Sequence, residues 1–215
     1  MVQSNCGTGW TAAAVVAACA LFFTVFSFWW VNARRGRLKS FPPHTFAFYI
    51  DSARVRLRLP LVLYNTGAAP IIVQNLRLSF PEQSDSANLL YWITSRVQIK
   101  PSNPEDYAFP AVFSVAGRSA QQFFVEFGED SLGFALDARP YSVRVEAKLG
   151  HKKKWWTLLD FTVQAAQIVA PGKYITYENT SPPQERRREA ETALKNYSPN
   201  RRASRGRPGE CVQRP

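Results

Sequence analysis

The chain has 215 residues, of which 46% are apolar and 13% aromatic, and its 27 basic and 16 acidic side chains give a formal net charge of +11. This composition excludes a wholly disordered protein, a collagen-like repeat and a small disulfide-rich scaffold, because the chain has enough apolar residues to bury a core. The mean hydropathy of −0.23 is that of an ordinary soluble protein, but this average hides an uneven distribution of charged and apolar residues.

The first predicted element is a transmembrane helix over residues 10–32, which follows a short segment, residues 1–9. No charged side chain precedes Arg34. The 22 residues from Trp10 to Val31 extend about 33 Å as a helix, which is enough to cross a hydrocarbon core of about 30 Å. Tryptophans stand at both ends, as in the aromatic belts of membrane proteins; they are Trp10, Trp29 and Trp30. The alternative is a core helix of a soluble domain.

Two kinds of processing are alternatives to a retained anchor. A cleaved signal peptide normally starts with basic residues, which residues 1–9 lack. The stretch Val16-Ala17-Ala18-Cys19 resembles a bacterial lipobox, but further apolar residues follow Cys19 instead of a polar linker. We therefore expect the helix to be retained, which predicts a single-pass protein of the cell membrane.

A basic juxtamembrane linker is predicted for residues 33–43. It carries four positive charges and no negative one; they are Arg34, Arg35, Arg37 and Lys39. By the positive-inside rule, this charge keeps the following domain in the cytoplasm. Basic residues next to a membrane helix also attract anionic lipid headgroups. Together with the flanking tryptophans, these four residues form the predicted membrane interface.

Residues 44–177 are predicted to form an all-β domain, because apolar side chains recur at every second position. Strands are predicted at 46–50, 55–64, 71–80, 90–99, 109–115, 123–127, 141–149 and 155–163, with a hairpin turn at 150–154. Pro60 has no N–H, which predicts that its strand lies at the edge of a sheet or is bulged at this residue. The apolar phase changes near Gln74-Asn75, which predicts a bulge there.

The number and spacing of these strands favour an antiparallel β-sandwich of the immunoglobulin or fibronectin type III kind, and a small β-barrel is the alternative. The Cys-Trp-Cys pattern of true immunoglobulin domains is missing, because residues 40–177 contain no cysteine.

The segment from Leu61 to Leu78 contains Asn65-Thr66-Gly67-Ala68-Ala69-Pro70 followed by Ile71 and Val73. It resembles the N-T-G-x-x-P-I-x-V hairpin of many bacterial immunoglobulin-like domains. With one helix in front, the chain resembles bacterial single-pass membrane proteins of this kind whose function is uncharacterised. The resemblance implies the sandwich fold and a membrane anchor, and it implies no activity.

Residues with catalytic or metal-binding chemistry are few. His44 and His151 have no cysteine or carboxylate neighbour at the spacing of metal ligands. The acidic pairs at 105–106 and 129–130 lie in predicted turns, where a calcium site at 128–130 is the alternative to a solubilising role. The cysteines lie in three separate segments; they are Cys6, Cys19 and Cys211. We predict no enzyme, no cofactor and no metal site.

Two groups of basic side chains are candidate contacts for anionic partners. One group lies on a strand, where alternate residues share a face at a spacing of about 7 Å, and the other lies at the predicted hairpin turn. The candidates are Arg54, Arg56, Arg58, Lys152, Lys153 and Lys154. The alternative is a solvated surface on which Glu126, Glu146 and Asp160 neutralise basic neighbours.

Residues 178–215 are predicted to be a basic, mostly disordered tail with nine basic and five acidic side chains. A short helix within it has few apolar residues, Ala190, Ala193 and Leu194, too few to dock it firmly.

The sequence favours a non-enzymatic membrane protein that acts in scaffolding or protein interaction at the membrane surface. Its expected partners are the lipid bilayer and an unidentified protein. The alternatives are an envelope-facing binding or adhesion domain, and a nucleic-acid tether that acts through the tail. The sequence leaves the oligomeric state open.

Overall fold

The computed structural model describes residues 8–51, 54–81, 89–102, 106–129 and 136–196. Helix α1 spans Thr8–Phe28 and continues into one π-helical turn, Trp29–Ala33. The strands within the described residues are β1 (Leu38–Lys39), β2 (Thr45–Ile50), β3 (Val55–Asn65), β4 (Ile71–Ser79), β5 (Leu89–Arg96), β6 (Tyr107–Ala108), β7 (Phe113–Val115), β8 (Ala120–Glu129), β9 (Pro140–Leu149), β10 (Trp155–Gln164) and β11 (Ile175–Glu178). A 3-10 turn, Ala165–Gln167, follows β10, and helix α2 spans Gln184–Lys195.

The N-terminal helical segment is long and apolar enough to cross a membrane. Its span Ala12–Ala33 has a mean hydropathy of 2.1 and is 0% buried in the protein. The side chain of Thr24 donates to the carbonyl of Ala20 at 2.8 Å, so this hydroxyl is satisfied within the helix. The prediction of one apolar N-terminal helix is confirmed, and its exposure is the opposite of what a core helix would show.

The strands form one antiparallel sheet that curls into a half-barrel. Its main order is β10-β9-β4-β5-β8-β3-β2-β11, while β1, β6 and β7 pair with β3, β5 and β4 respectively. An antiparallel β-rich domain behind one apolar helix is therefore confirmed. The immunoglobulin-like or fibronectin type III sandwich stays a prediction, because these strands belong to a single curled sheet.

One local prediction is corrected and another is confirmed. Strand β3 is not an edge strand, because it lies between β8 and β2, and its pairing with β8 has no register shift at Pro60. Strand β3 pairs with β8 along its length, but on its other side the pairing with β2 stops at Arg58 and the pairing with β1 begins only at Tyr64. Pro60 lies in this gap, where its missing N–H costs no hydrogen bond of the sheet. The register between β4 and β9 shifts between Val73 and Asn75, which is the bulge predicted at Gln74-Asn75.

The curl brings the two ends of the sheet close together after β11. The side-chain oxygen of Asn179 accepts a hydrogen bond from the N–H of Gln164 at 2.9 Å, and its amide donates to the carbonyl of Thr162 at 2.8 Å. The backbone N–H of Asn179 also donates to the carbonyl of His44 at 2.8 Å. One side chain thus ties the end of β10 to the segment that follows β11 and to the start of β2.

The region after β11 corrects one expectation. Helix α2 was expected to be too poor in apolar residues to dock, but Ala190 and Leu194 are 0% and 4% exposed and belong to the core. They lie four positions apart, so both face the domain from one side of the helix. Two well-placed apolar side chains are enough here because both pack into the core of the domain. The disorder predicted for the end of the tail concerns residues 197–215, which lie outside the described residues.

Candidate functional site: the helix-proximal basic face

The linker after α1 is hydrogen-bonded to the β-domain. The N–H of Ala68 donates to the carbonyl of Arg34 at 2.9 Å, and the N–H of Thr66 donates to the carbonyl of Arg37 at 3.1 Å. In return the N–H of Arg37 donates to Oγ1 of Thr66 at 2.9 Å. Strand β1 then continues the linker by pairing with the end of β3. The helix and the domain are therefore joined by a bonded segment, not by a free tether.

Asn65 shapes the loop that receives the linker. This residue is fully buried, and its amide donates to the carbonyls of Ala69 at 2.9 Å and Val115 at 3.2 Å. Its side-chain oxygen accepts a hydrogen bond from the N–H of Gly67 at 2.9 Å. Gly67 lies directly against Gly36 of the linker, and a Cβ on either glycine would overlap the backbone of the other. The loop that carries the Asn-Thr-Gly motif thus forms the surface against which the linker packs.

Arg118 connects the same loop to the π-helical turn that ends the N-terminal helical segment. Its N–H donates to the carbonyl of Gly67 at 2.8 Å, and its guanidinium donates to the carbonyl of Trp30 at 3.2 Å. Its φ of 53° lies in the left-handed region, which is strained for a residue with a side chain. A cation is favourable at this place, because the last carbonyls of a helix carry partial negative charge. Sequence reasoning missed Arg118, since its turn position does not show that it faces the helix.

The turn between β9 and β10 lies beside the linker and is held there by the N–H of Gly150, which donates to the carbonyl of Ile72 at 2.9 Å. Between the turn and the linker are two adjoining hollows of about 250 and 320 Å³. Both are lined by Arg35, Gly36, Ile71 and His151, and the larger one also by Arg37, Lys152 and Trp156. We call this composite hollow the basic groove.

The basic groove unites two of the clusters that the sequence predicted separately, the linker arginines and the lysine-rich turn. The ammonium group of Lys152 lies over the ring of Trp156 at 4.1 Å from its centre. The guanidinium of Arg34 lies over the ring of Trp30 at 3.9 Å. Each contact holds a cation against an aromatic face. Basic and aromatic side chains are thus placed together at the end of the domain that adjoins α1.

The other predicted interface residues have separate surroundings. Trp29 and Trp30 are exposed in the π-helical turn, and Lys39 is exposed in β1. Lys153 and Lys154 are exposed in the β9–β10 turn, where the carbonyl of Lys153 accepts a hydrogen bond from Lys148. Trp10 lies in the first turn of α1, but the structure does not describe its side chain.

The predicted row of strand arginines is not a common contact surface. Arg54 is exposed and pairs with Asp51 at 3.1 Å. Arg56 is half-buried and donates to the carbonyl of its neighbour Val55 at 2.9 Å. Arg58 is only 1% exposed, which corrects its assignment to an anionic contact surface. Arg58 is not on the surface because its strand is covered at this point and its guanidinium pairs with a buried carboxylate.

That carboxylate belongs to Glu126. Its Oε2 lies 3.0 Å from Nη2 of Arg58 and 3.3 Å from Nε of Arg96, and it accepts a 2.8 Å hydrogen bond from the hydroxyl of Tyr174. Arg58 also donates to the carbonyl of Gln98 at 2.9 Å. Burial, followed by the charge of Glu126, raises the pKa of Tyr174. The phenol therefore stays protonated, and the cluster holds three strands and two loops together.

Within the described residues, no three His, Cys, Asp or Glu side chains lie close enough together to hold a metal ion. His151 lines the basic groove, whereas His44 is exposed at the start of β2 and receives a backbone hydrogen bond. Cys19 is exposed on α1. Cys6 and Cys211 lie outside the described residues, as does part of each acidic pair, Glu105 and Asp130.

No family model and no curated protein sequence matches the chain. Among solved structures, the crystal structure of a protein from Archaeoglobus fulgidus is similar to 68% of this chain and 98% of its own, with 8% sequence identity and a TM-score of 0.28. A similarity this low supports no statement about fold or function.

Proposed function

We propose that this is a single-pass, non-enzymatic protein of the cell membrane whose β-domain acts in scaffolding or protein interaction at the membrane surface. The observation that carries the proposal is the apolar span Ala12–Ala33, none of which is buried in the protein. Large side chains such as Phe22 and Phe23 are 73% and 72% exposed on it. An apolar surface of this kind is stable in a bilayer and costly in water.

The bonded linker supports a role for the domain close to the bilayer. A flexible tether would let a domain sample many distances from the membrane, whereas the hydrogen bonds of Arg34 and Arg37 to the Asn65–Pro70 loop hold this one in contact with the helix end. Such an arrangement suits a protein that presents a surface to partners at a defined height. The resemblance to bacterial membrane-anchored immunoglobulin-like proteins agrees with this proposal.

Insertion of α1 is tested by placing a charge in its centre. Leu21 is 66% exposed and contributes nothing to the core of the domain. Leu21→Arg is expected to release the full-length protein from membranes during alkaline extraction, because arginine at a helix centre costs about 2.5–3.5 kcal/mol. Leu21→Ile is the matched control and should remain in the membrane. If the wild-type protein is itself extracted without detergent, the proposed anchor is wrong.

Orientation is tested with the cysteines at the two ends of the chain. In a Cys19→Ala background, a thiol reagent that does not cross membranes is expected to label Cys6 in intact cells and Cys211 only after permeabilisation. This follows from the one-sided charge of Arg34, Arg35 and Arg37. Labelling of Cys211 in intact cells would place the domain outside and favour an envelope-facing binding or adhesion domain. A reporter fusion belongs after Pro215, because Tyr177 is buried in β11.

The interaction role is tested by capturing the full-length protein from detergent-solubilised membranes. We expect one defined protein partner to be recovered. Its recovery should be lost when exposed side chains of the β-domain are substituted, and it should be kept when only residues 197–215 are removed. Recovery of nucleic acid that depends on residues 197–215 would instead favour the tether, since binding to phosphates through basic residues is strongly salt-dependent.

A further inference from the structure

We propose that the basic groove binds the phosphate headgroup of an anionic phospholipid in the leaflet that adjoins the β-domain. This inference rests on the proposed anchoring by α1 and adds a ligand class to it. The basic residues of the groove come from two segments more than 100 residues apart in the chain, the linker at Arg35–Arg37 and the turn at His151–Lys152. Neither segment forms the hollow alone.

The charge of the groove fits a phosphate. Three basic side chains, Arg35, Arg37 and Lys152, line the larger hollow together with His151. The residues that line it all lie in the described part of the chain and include no Asp or Glu. Arginine side chains recognise phosphate oxygens by paired hydrogen bonds, and a lysine adds a point charge. The volume of about 320 Å³ is at the lower end of the range for small-molecule sites, which suits a headgroup.

The depth of the groove also fits a headgroup. Arg35 follows the last residue of the span, Ala33, by two positions, so its Cα lies within about 7 Å of the end of the helix. The headgroup layer of one leaflet is roughly 5–8 Å thick, because the whole bilayer exceeds its hydrocarbon core by about 10–15 Å. The groove therefore begins in the layer where lipid phosphates lie, and a soluble ligand would have to compete with them there.

The site is also built before any ligand arrives. The linker is fixed by its backbone hydrogen bonds to the Asn65–Pro70 loop. The turn is fixed by the hydrogen bond from the N–H of Gly150 to the carbonyl of Ile72 in β4. Lys152 is held over Trp156 at 4.1 Å, and an indole beside a cation is typical of the membrane–water interface. A preformed site loses little conformational freedom when the lipid binds.

The experiment measures lipid selectivity of the full-length protein. The protein is reconstituted in phosphatidylcholine vesicles that contain spin-labelled phosphatidylglycerol or spin-labelled phosphatidylcholine, and the motionally restricted lipid fraction gives the relative association constants. We expect wild type to prefer phosphatidylglycerol. The double variant Arg35→Gln/Lys152→Gln should lose roughly fivefold in this preference per charge removed. The control, Lys100→Gln/Lys173→Gln, removes the same charge from exposed lysines outside the groove and should behave as wild type.

The outcomes separate this inference from the proposed anchor. A protein that stays in the vesicles on alkaline extraction but shows no preference for phosphatidylglycerol overturns the groove inference alone. Equal losses in the groove variant and its control would overturn it as well, because the preference would then follow net charge. Glycerol 3-phosphate added to the vesicles should leave the restricted phosphatidylglycerol fraction unchanged. Displacement of that lipid would show a soluble-anion site and contradict a lipid site. A protein released by alkaline extraction would refute the anchor itself.

Discussion

Arginines of the sheet and arginines of the linker carry the same charge but face different surroundings. On the sheet, Arg58 meets Glu126 at 3.0 Å, Arg77 meets Glu146 at 2.7 Å and Arg144 meets Asp160 at 2.7 Å. In the linker, Arg35 and Arg37 have no carboxylate partner among the described residues and line an open groove instead. A positive charge is available to a partner molecule only where the chain supplies no carboxylate beside it.

The comparison also explains how a single net charge can mislead. The sheet arginines Arg58, Arg77 and Arg144 are neutralised by neighbouring carboxylates, so they contribute little to an attraction for anions. The linker and the β9–β10 turn contribute more than their number suggests, because the fold places them together at one end of the domain. The location of the unneutralised charge therefore says more about a partner than the total of +11.

The largest effect is expected where a sheet arginine is fully buried. Glu126→Gln keeps the shape of the side chain but removes the carboxylate charge that contacts Arg58 and Arg96. Breaking a buried ion pair in this way costs about 3–5 kcal/mol in free energy of unfolding. Urea unfolding of the full-length protein in detergent micelles measures the loss. Glu146→Gln, at the half-buried pair with Arg77, is the control and should lose clearly less; an equal loss would show that burial of the pair is not what matters.

A medium effect is expected from Tyr174 at alkaline pH. Its raised pKa keeps the phenol neutral in the folded protein, while an unfolded tyrosine ionises near pH 10.0. The unfolded state therefore holds fewer protons above that pH, and the free energy of unfolding falls as pH rises. One such group contributes about 1.4 kcal/mol per pH unit until the folded pKa is reached.

This contribution is isolated with Tyr174→Phe. The variant should lose stability less steeply with rising pH than wild type, although burial also raises the pKa of Tyr177, which leaves a second alkaline-sensitive group in place. Parallel stability–pH curves for the two proteins would contradict the assignment to Tyr174.

The smallest effects are expected from exposed arginines. Arg144 and Asp160 are 40% and 54% exposed in their side chains, so Arg144→Ala should cost about 0.2–1 kcal/mol in free energy of unfolding. Arg35→Gln should leave it unchanged within about 0.5 kcal/mol, since the linker is held by backbone bonds. Urea unfolding in micelles measures both. A loss at Arg35 as large as the loss at Glu126 would place that side chain in the fold and remove it from the groove.

Much of the strand pattern could be predicted from period-two alternation, including the bulge after Val73. The curl of the sheet could not, because it depends on which strands pair across long stretches of chain. Arg58 shows the same limit: its polar type and its position on an alternating strand indicate a solvated face, and only the approach of Glu126 and Tyr174 from distant segments buries it.

For the site, the linker charges and the lysine-rich turn were each visible in the sequence, but their union was not. It arises because the Asn65–Pro70 loop receives the linker and β4 holds the turn nearby. The docking of α2 through Ala190 and Leu194 was likewise hidden, since two apolar residues in a polar segment carry a weak signal until a hydrophobic surface faces them.

The contact between Gly36 and Gly67 couples the direction of helix α1 to the position of the β-domain. The backbone of the linker lies against the loop and is hydrogen-bonded to it. These contacts limit bending between helix α1 and strand β3, whose 11 residues extend about 36 Å. Membrane helices tilt by different amounts in bilayers of different thickness. A change in tilt of about 10° would swing the far end of such a strand sideways by about 6 Å. In a protein anchored as proposed above, bilayer thickness would thus set the position of the far end of this strand.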